Sequence, residues 1–371
     1  MIYVLVFLIL IGFALNYLSR KYVLHNLDYS REISKKVVEV DEEFEISTII
    51  ENRKLLPVTF LQVVEKYPSV IKFKFKTSIS KSEEHLFHRT TMMLLPYQRV
   101  KRSVKVSFGR RGRMVLRDVI LLGGDLLGFH TATKELKYLQ EIVVLPKKTS
   151  LDDEILPYGN YYGDISVKRW IIDDPLLTVG IREYTGSEPM KSIHWPSSLR
   201  TGALMVKQLD FTTDNTVMIA LNIECSKPFW SGFNIGYIER CISITREVME
   251  RFEEAGIPYG LVSNARYSGA LNSGSTAGVG YGRAHYNNLV ENLGRIEYSI
   301  TMTFDELLDN MTKDSGSYTT YVIITPVMLK DYIDVVNILS NKSMRMVVIS
   351  LHETNLEYLK DGIIAYVGRK E

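Results

Sequence analysis

Hydrophobic periodicity changes once along this chain, near Asn215, and that change constrains the fold more than any other feature. Before it, short runs alternate apolar and polar residues, as half-buried strands require. Examples are Lys36–Val40, Phe44–Glu51, Val58–Glu65, Ile71–Lys76, Arg89–Leu95, Arg99–Phe108 and Arg113–Leu122. In Phe44-Glu45-Ile46-Ser47-Thr48-Ile49-Ile50 the apolar residues mostly fall at even steps. Short strands at this spacing predict an antiparallel, immunoglobulin-like sandwich over residues 22–150. After the change, the continuous apolar run Val217–Ile223 reads as a strand buried on both faces. Ile235–Glu254 follows with helical spacing and stops at Gly256, and strand and helix patterns then alternate to the carboxyl end. Residues 217–371 therefore predict an α/β domain with a parallel sheet covered by helices.

A second constraint sits at the amino end. Ile2–Leu18 reads IYVLVFLILIGFALNYL, seventeen residues without a charge. At 1.5 Å per residue it spans about 25 Å, enough for a short membrane helix. Arg20 and Lys21 follow it, and cations on that side favour a cytoplasmic body. We expect residues 1–21 to form a single-pass anchor in the cell membrane; the alternative is a buried core helix.

Charge and cysteine content exclude several classes. With 45 basic and 43 acidic side chains the net charge is +2, so nucleic-acid binding is not expected. Cys225 and Cys241 are too few for a disulfide framework or a Cys-based zinc site. One local excess stands out: Arg99–Arg117 holds eight basic residues and no acid before Arg117. It reads either as a patch for anionic lipid or as the solvated faces of two strands. No zinc-protease, nucleophile-elbow or dinucleotide motif is present, and Gly278-Val279-Gly280-Tyr281-Gly282 lacks the Lys-Ser/Thr of a phosphate loop.

The polar and aromatic residues concentrate in 151–216, which separates the two patterned regions as a linking segment. Arg182, Tyr184, Lys191, His194, Trp195, Arg200 and Lys207 lie close together there. Such residues can clamp an anion or a partner's carboxylate through Arg. Equally, they can staple a loop to the domain, with Trp195 as a packing plug. A base–nucleophile pair of His194 with Ser197 or Ser198 would need an orienting third group that no motif supplies.

These residues carry a family resemblance. Arg182, Tyr184 and Gly186, then Ile193, His194, Trp195, Ser198 and Arg200, then Leu204, Val206 and Lys207 resemble the hallmark of the domain of unknown function 58 family. Arg110-Arg111-Gly112, Gly124-Asp125-Leu126-Leu127-Gly128-Phe129 and Val143-Val144-Leu145-Pro146 are similar to its upstream segments. Ser187, Lys191 and Leu199 depart from the usual Asp, Arg and Ala. The resemblance implies a von Willebrand factor A-like carboxyl domain. It also implies a metal motif, Asp-x-Ser-x-Ser, whose positions are Asn222, Glu224 and Ser226 here. Two departures from that motif make a metal-free version the default, with Mg²⁺ or Ca²⁺ as the cation such oxygens would take. The anchor and a binding-type fold without catalytic residues predict a membrane-anchored, non-catalytic interaction or assembly protein, and the resemblance implies that it works in the bacterial cell envelope. Its implied partners are a MoxR-type AAA+ ATPase or a transglutaminase-like membrane protein. The alternative is an enzyme or anion-binding protein using His194, Arg182 and Arg200.

Overall fold

The apolar run is helical. The computed structural model describes the chain except residues 1, 76–77, 126–127, 159–169, 171–177, 186–189, 210–215, 270–275, 314–317 and 370–371. Helix α1 spans Ile2–Tyr22 and carries Arg20 and Lys21 in its last turn, where cations complement the helix dipole. Phe7, Leu10 and Phe13 are 63%, 61% and 62% exposed, so α1 is not the buried core helix that sequence left open. Among the described residues no helix is long and apolar enough to cross a membrane. The side chains at 2, 4, 5, 8, 9 and 15 of α1 lie outside that description. At its far end the helix turns into the first unit: Ser19, Val23 and Leu24 are buried. Val23 and Leu24 lie so close to Gly123 that a Cβ there would meet them at 2.9 and 2.8 Å.

The chain divides into two compact units, Met1–Lys147 and Lys148–Glu371. Residues 151–216, separated as a link in the sequence reading, lie within the second unit.

The first unit is a β-sandwich built from β1 (Leu27–Ile33), β2 (Val37–Val38), β3 (Phe44–Asn52), β4 (Val58–Pro68), β5 (Ile71–Phe73), β6 (Ile79–Lys81), β7 (His85–Leu94), β8 (Arg99–Phe108), β9 (Gly112–Gly124), β10 (Thr131–Leu136) and β11 (Gln140–Val144). One sheet runs β1-β3-β8-β5 and the other β2-β11-β9-β4-β7-β6, with β10 on β9. Period-2 alternation points every second side chain inward. Two apolar clusters result. One gathers Ile46, Tyr67, Leu86, Val106 and Leu116, and the other Ile50, Val63, Met92, Val119 and Leu121.

Between the clusters four strands spend an inward position on a polar residue. Arg31 lies on β1, Thr48 on β3, Glu65 on β4 and His88 on β7, all buried. Glu65 Oε1 accepts from Tyr29 Oη at 2.6 Å and Thr48 Oγ1 at 2.8 Å, while His88 Nδ1 lies 3.4 Å from Oε2. Burial alone would push the Glu65 carboxyl up. Hydrogen bonds from His88, Tyr29 and Thr48, with the Arg31 charge nearby, outweigh it and hold the group below the ordinary glutamate value. Arg31 is held in turn by Gln140 Oε1 at 2.9 Å and packs over the Tyr138 ring at 5.4 Å. The core is therefore apolar, then ionic, then apolar.

The second unit centres on a seven-stranded sheet ordered β12 (Ile155–Pro157), β22 (Ile364–Gly368), β21 (Arg345–Ser350), β20 (Thr320–Thr325), β15 (Val217–Leu221), β16 (Tyr259–Ser263) and β18 (Thr276–Gly280). The inner pairings are parallel, and β12 and β18 close the edges antiparallel. Taken in chain order from β15, strands three, two, one, four, five and six lie side by side, the doubly wound arrangement. The helices α2 (Leu151–Glu154), α3 (Trp195–Thr201), α4 (Ile235–Ala255), α5 (Arg283–Arg295), α6 (Phe304–Lys313) and α7 (Lys330–Lys342) accompany it. Strand β17 (Ala265–Tyr267) pairs antiparallel with β19 (Ile296–Ile300) as a separate ribbon. A left-handed Gly256, φ 73°, ends α4 as the sequence predicts. The glycine-rich stretch read as a loop contributes β18 instead, because pairing with β16 outweighs the weak strand propensity of glycine. Helix α6, which sequence spacing passes over, buries Phe304, Leu307, Leu308 and Met311 on one face.

Candidate functional site

The Ile-His-Trp segment folds as a two-stranded ribbon with a short helix. Strands β13 (Thr178–Glu183) and β14 (Met205–Leu209) pair antiparallel, and α3 lies between them in sequence. Ile193 is buried and bridges Val206. The His194 N–H donates to Met205 O at 2.7 Å, and its Nδ1 accepts the Ser197 N–H at 3.2 Å, capping α3. Ser197 Oγ lies 2.9 Å from the same nitrogen, within base–nucleophile distance. That nitrogen already serves as the cap, and among the described residues no carboxylate is hydrogen-bonded to His194 to orient it. Ser198 donates to His194 O at 3.1 Å and accepts the Met205 N–H at 2.8 Å, which ties the helix to the ribbon. Its hydroxyl is structural.

The remaining motif residues lie on the surface. Arg182 is exposed on β13, where Nη1 donates to Glu183 O at 3.2 Å, and Arg200 and Lys207 are exposed on α3 and β14. The backbone N–H of Tyr184 donates to Leu204 O at 2.8 Å. Gly186 lies outside the described residues. Trp195 is 55% exposed, which corrects its reading as a packing plug; Leu199, one turn on, is 84% exposed. Met190, Ile181 and Leu204 are exposed on the same substructure.

The tryptophan that plugs the core is Trp170. It is fully buried, donates through Nε1 to Tyr366 Oη at 3.0 Å, and accepts from Thr320 Oγ1 through its carbonyl at 3.1 Å. Phe252 and Tyr366 pack on it, with ring centroids 6.0 and 5.7 Å away. Its neighbours in sequence, Lys168-Arg169 and Ile171-Ile172-Asp173-Asp174, carry no period that distinguishes a core position.

At the carboxyl end of β15 the three motif positions are committed to internal hydrogen bonds. Asn222 and Glu224 are buried. Asn222 Oδ1 accepts the Glu224 N–H and Asn264 Nδ2, both at 2.8 Å, and Asn222 Nδ2 donates to Thr325 Oγ1 at 3.0 Å. Glu224 Oε2 accepts Tyr332 Oη at 2.6 Å and the Phe304 N–H at 3.2 Å. Burial and the Glu224 carboxylate push the Tyr332 phenol well above its ordinary value, so it stays a donor. Ser226 Oγ donates to Gly232 O at 3.1 Å and accepts from Ser231 Oγ at 3.2 Å. Lys227 caps the cluster, 2.6 Å from Asp305 and 3.1 Å from Asp331. The long Glu in place of Ser spans from β15 to α6 and α7, and Asn222 ties β15 to β20. Among the described residues no cluster of three or more His, Cys, Asp or Glu could hold a metal ion.

Cys241 is fully buried on α4, and burial pushes its thiol well above the ordinary value, as suits a packing residue.

No family model matches the chain, and no curated protein sequence matches it. Among solved structures, the chain is similar to AvmM, which catalyses macrocyclization in alchivemycin A biosynthesis: 11% identity over 34% of this chain and 92% of that one, TM-score 0.25. A non-cellulosomal cohesin from the archaeon Archaeoglobus fulgidus is 10% identical over 32% and 91%, TM-score 0.23. A CARDB domain of Pyrococcus furiosus is 16% identical over 33% and 90%, TM-score 0.21.

Proposed function

We propose that this chain is a membrane-anchored interaction or assembly protein of the bacterial cell envelope that does no catalysis itself. The observation that carries this reading is the exposed face of α3 and its ribbon. Trp195 and Leu199 stand one turn apart on α3, 55% and 84% exposed, and Arg200 is exposed next to Leu199. Exposed apolar clusters with a charged rim mark interaction sites. The polar side chains that would do chemistry in the same segment, His194 and Ser198, instead hold this face together. The doubly wound sheet and the motif resemblance support a von Willebrand factor A-like domain, and the resemblance suggests a MoxR-type ATPase or a transglutaminase-like membrane protein as partner. The seventeen-residue apolar run and the basic pair after it support a single-pass anchor with a cytoplasmic body.

The test is co-purification from detergent-solubilised membranes. The full chain should retain an AAA+ ATPase identified by mass spectrometry, and a Trp195→Glu, Leu199→Glu double variant should lose it by at least about tenfold, since exposed anchors of this kind contribute over 1.4 kcal/mol. An equal yield from both proteins would remove the surface from the account.

In this reading the carboxyl end of β15 works without a metal. Millimolar Mg²⁺ should leave the unfolding midpoint of the second unit unmoved, because Asn222 Oδ1, Glu224 Oε2 and Ser226 Oγ already accept hydrogen bonds. An Mg²⁺-dependent rise in that midpoint would restore the cation site.

A further inference from the structure

We propose that the open edge of the β-sandwich is a binding site for a phosphorylated polyol. The short strands create the opening. β5 pairs with β8 at Val106–Phe108 and β6 pairs with β7 at Leu86–His88. Beyond those pairings, Arg89–Thr91 of β7 and Arg102–Val104 of β8 line a cleft of about 670 Å³. That volume suits a small metabolite.

The buried polar layer surfaces at the cleft. Thr48 and His88 both line it, and both are bonded to Glu65 beneath. The His88 ring is held by stacking on Phe73, with centroids 5.1 Å apart. On β8 the inward series Phe108, Val106, Val104 breaks at Arg102, which lies opposite Thr48 in register. On β7 the inward series Leu86, His88, Thr90, Met92 breaks twice. Polar side chains at inward positions cost stability against apolar ones of similar size. Two strands making that exchange at one level, with Thr48 and His88 buried and Arg102 of a third exposed at the opening, indicate a site.

The lining decides the ligand. Arg89 and Arg102 supply guanidinium groups, which bind phosphoryl oxygens bidentately. Thr90 Oγ1 supplies a donor and an acceptor for a polyol, Thr48 Oγ1 and Ser103 Oγ, already bonded to Glu65 and Ser47, supply acceptor lone pairs, and none of the described lining residues is a carboxylate. An anion carrying hydroxyls fits this set, whereas a cation or an apolar ligand does not. The site is independent of the α3 face.

The experiment is isothermal titration of the full chain in detergent with sn-glycerol 3-phosphate, with glycerol as the neutral control. Saturable binding of the phosphate ester and none of glycerol is expected. Arg102→Gln and Thr90→Val, both at partly or fully exposed positions that should leave folding intact by circular dichroism, should each weaken it, the former by about tenfold or more. Competition by phosphatidylglycerol vesicles would assign the ligand to lipid headgroups; binding without competition would assign it to a free phosphopolyol. No saturable binding by the folded protein, or binding that Arg102→Gln leaves unchanged, overturns the proposal. The Trp195→Glu, Leu199→Glu variant should bind the ester normally, so the two assignments fail separately.

Discussion

Glu65→Ala should destabilise the first unit by about 3–5 kcal/mol, the cost of removing one partner from a buried charge cluster. Tyr29 Oη and Thr48 Oγ1 would lose their acceptor, and the buried Arg31 would lose the compensating charge. The two units can be read separately. Trp170, Trp195 and Trp230 all lie in Lys148–Glu371, so tryptophan fluorescence follows the second unit alone. Urea unfolding by hydrogen exchange of β3 and β4 should show the loss, while the fluorescence transition stays in place. An unchanged exchange profile would mean the polar layer does not carry the sandwich.

The same carboxylate predicts a pH dependence. Its folded pKa lies below its unfolded value of about 4.3. The stabilisation it contributes is therefore complete above the unfolded value and is lost as pH falls through the folded one. The wild-type first unit should weaken on acidification below about pH 4, and Glu65→Ala should lack that component of the acid response.

Trp170→Ala should cost the second unit about 3–5 kcal/mol, the range for emptying a fully buried aromatic site. The indole bridges the sheet to α4: it bonds Tyr366 on β22, its backbone accepts from Thr320 on β20, and its ring meets Phe252. Removing it leaves a cavity at the edge where β12 joins β22 and takes away the indole N–H donated to the Tyr366 hydroxyl. Circular dichroism unfolding of the second unit should shift strongly, and Trp170→Phe should recover part of the loss by refilling the volume. A small effect of Trp170→Ala would place its ring outside the core.

The sequence announced the pieces whose chemistry is periodic. Alternation in Phe44–Glu51 and Arg99–Phe108 marked sandwich strands, and the apolar run Val217–Ile223 with Gly256 marked the central parallel strand and the end of α4. The Arg99–Arg117 excess dispersed on folding for a reason that alternation contains: successive residues face opposite ways. Lys101 pairs with Glu32 at 2.8 Å, Arg113 with Glu141 at 2.6 Å, and Arg102 turns to the cleft. His194 and Ser198 were legible as a motif, yet their work as cap and staple depends on where Met205 and Ser197 come to lie.

What the sequence determined alone was local: the apolar helix at the amino end, the strand and helix periods, and the order of two kinds of domain. Those follow from side-chain spacing along one segment. Only tertiary structure decided which tryptophan is core, since Trp170 is buried by residues 82 and 196 positions away and Trp195 is not. It also decided that Asn222, Glu224 and Ser226 bond to the protein itself, and that Thr48, Glu65, His88 and Arg102 share one level of the sandwich. Burial and hydrogen-bond partnership are properties of segments brought together, and strand register, which spacing within one strand does not contain, sets which residues meet.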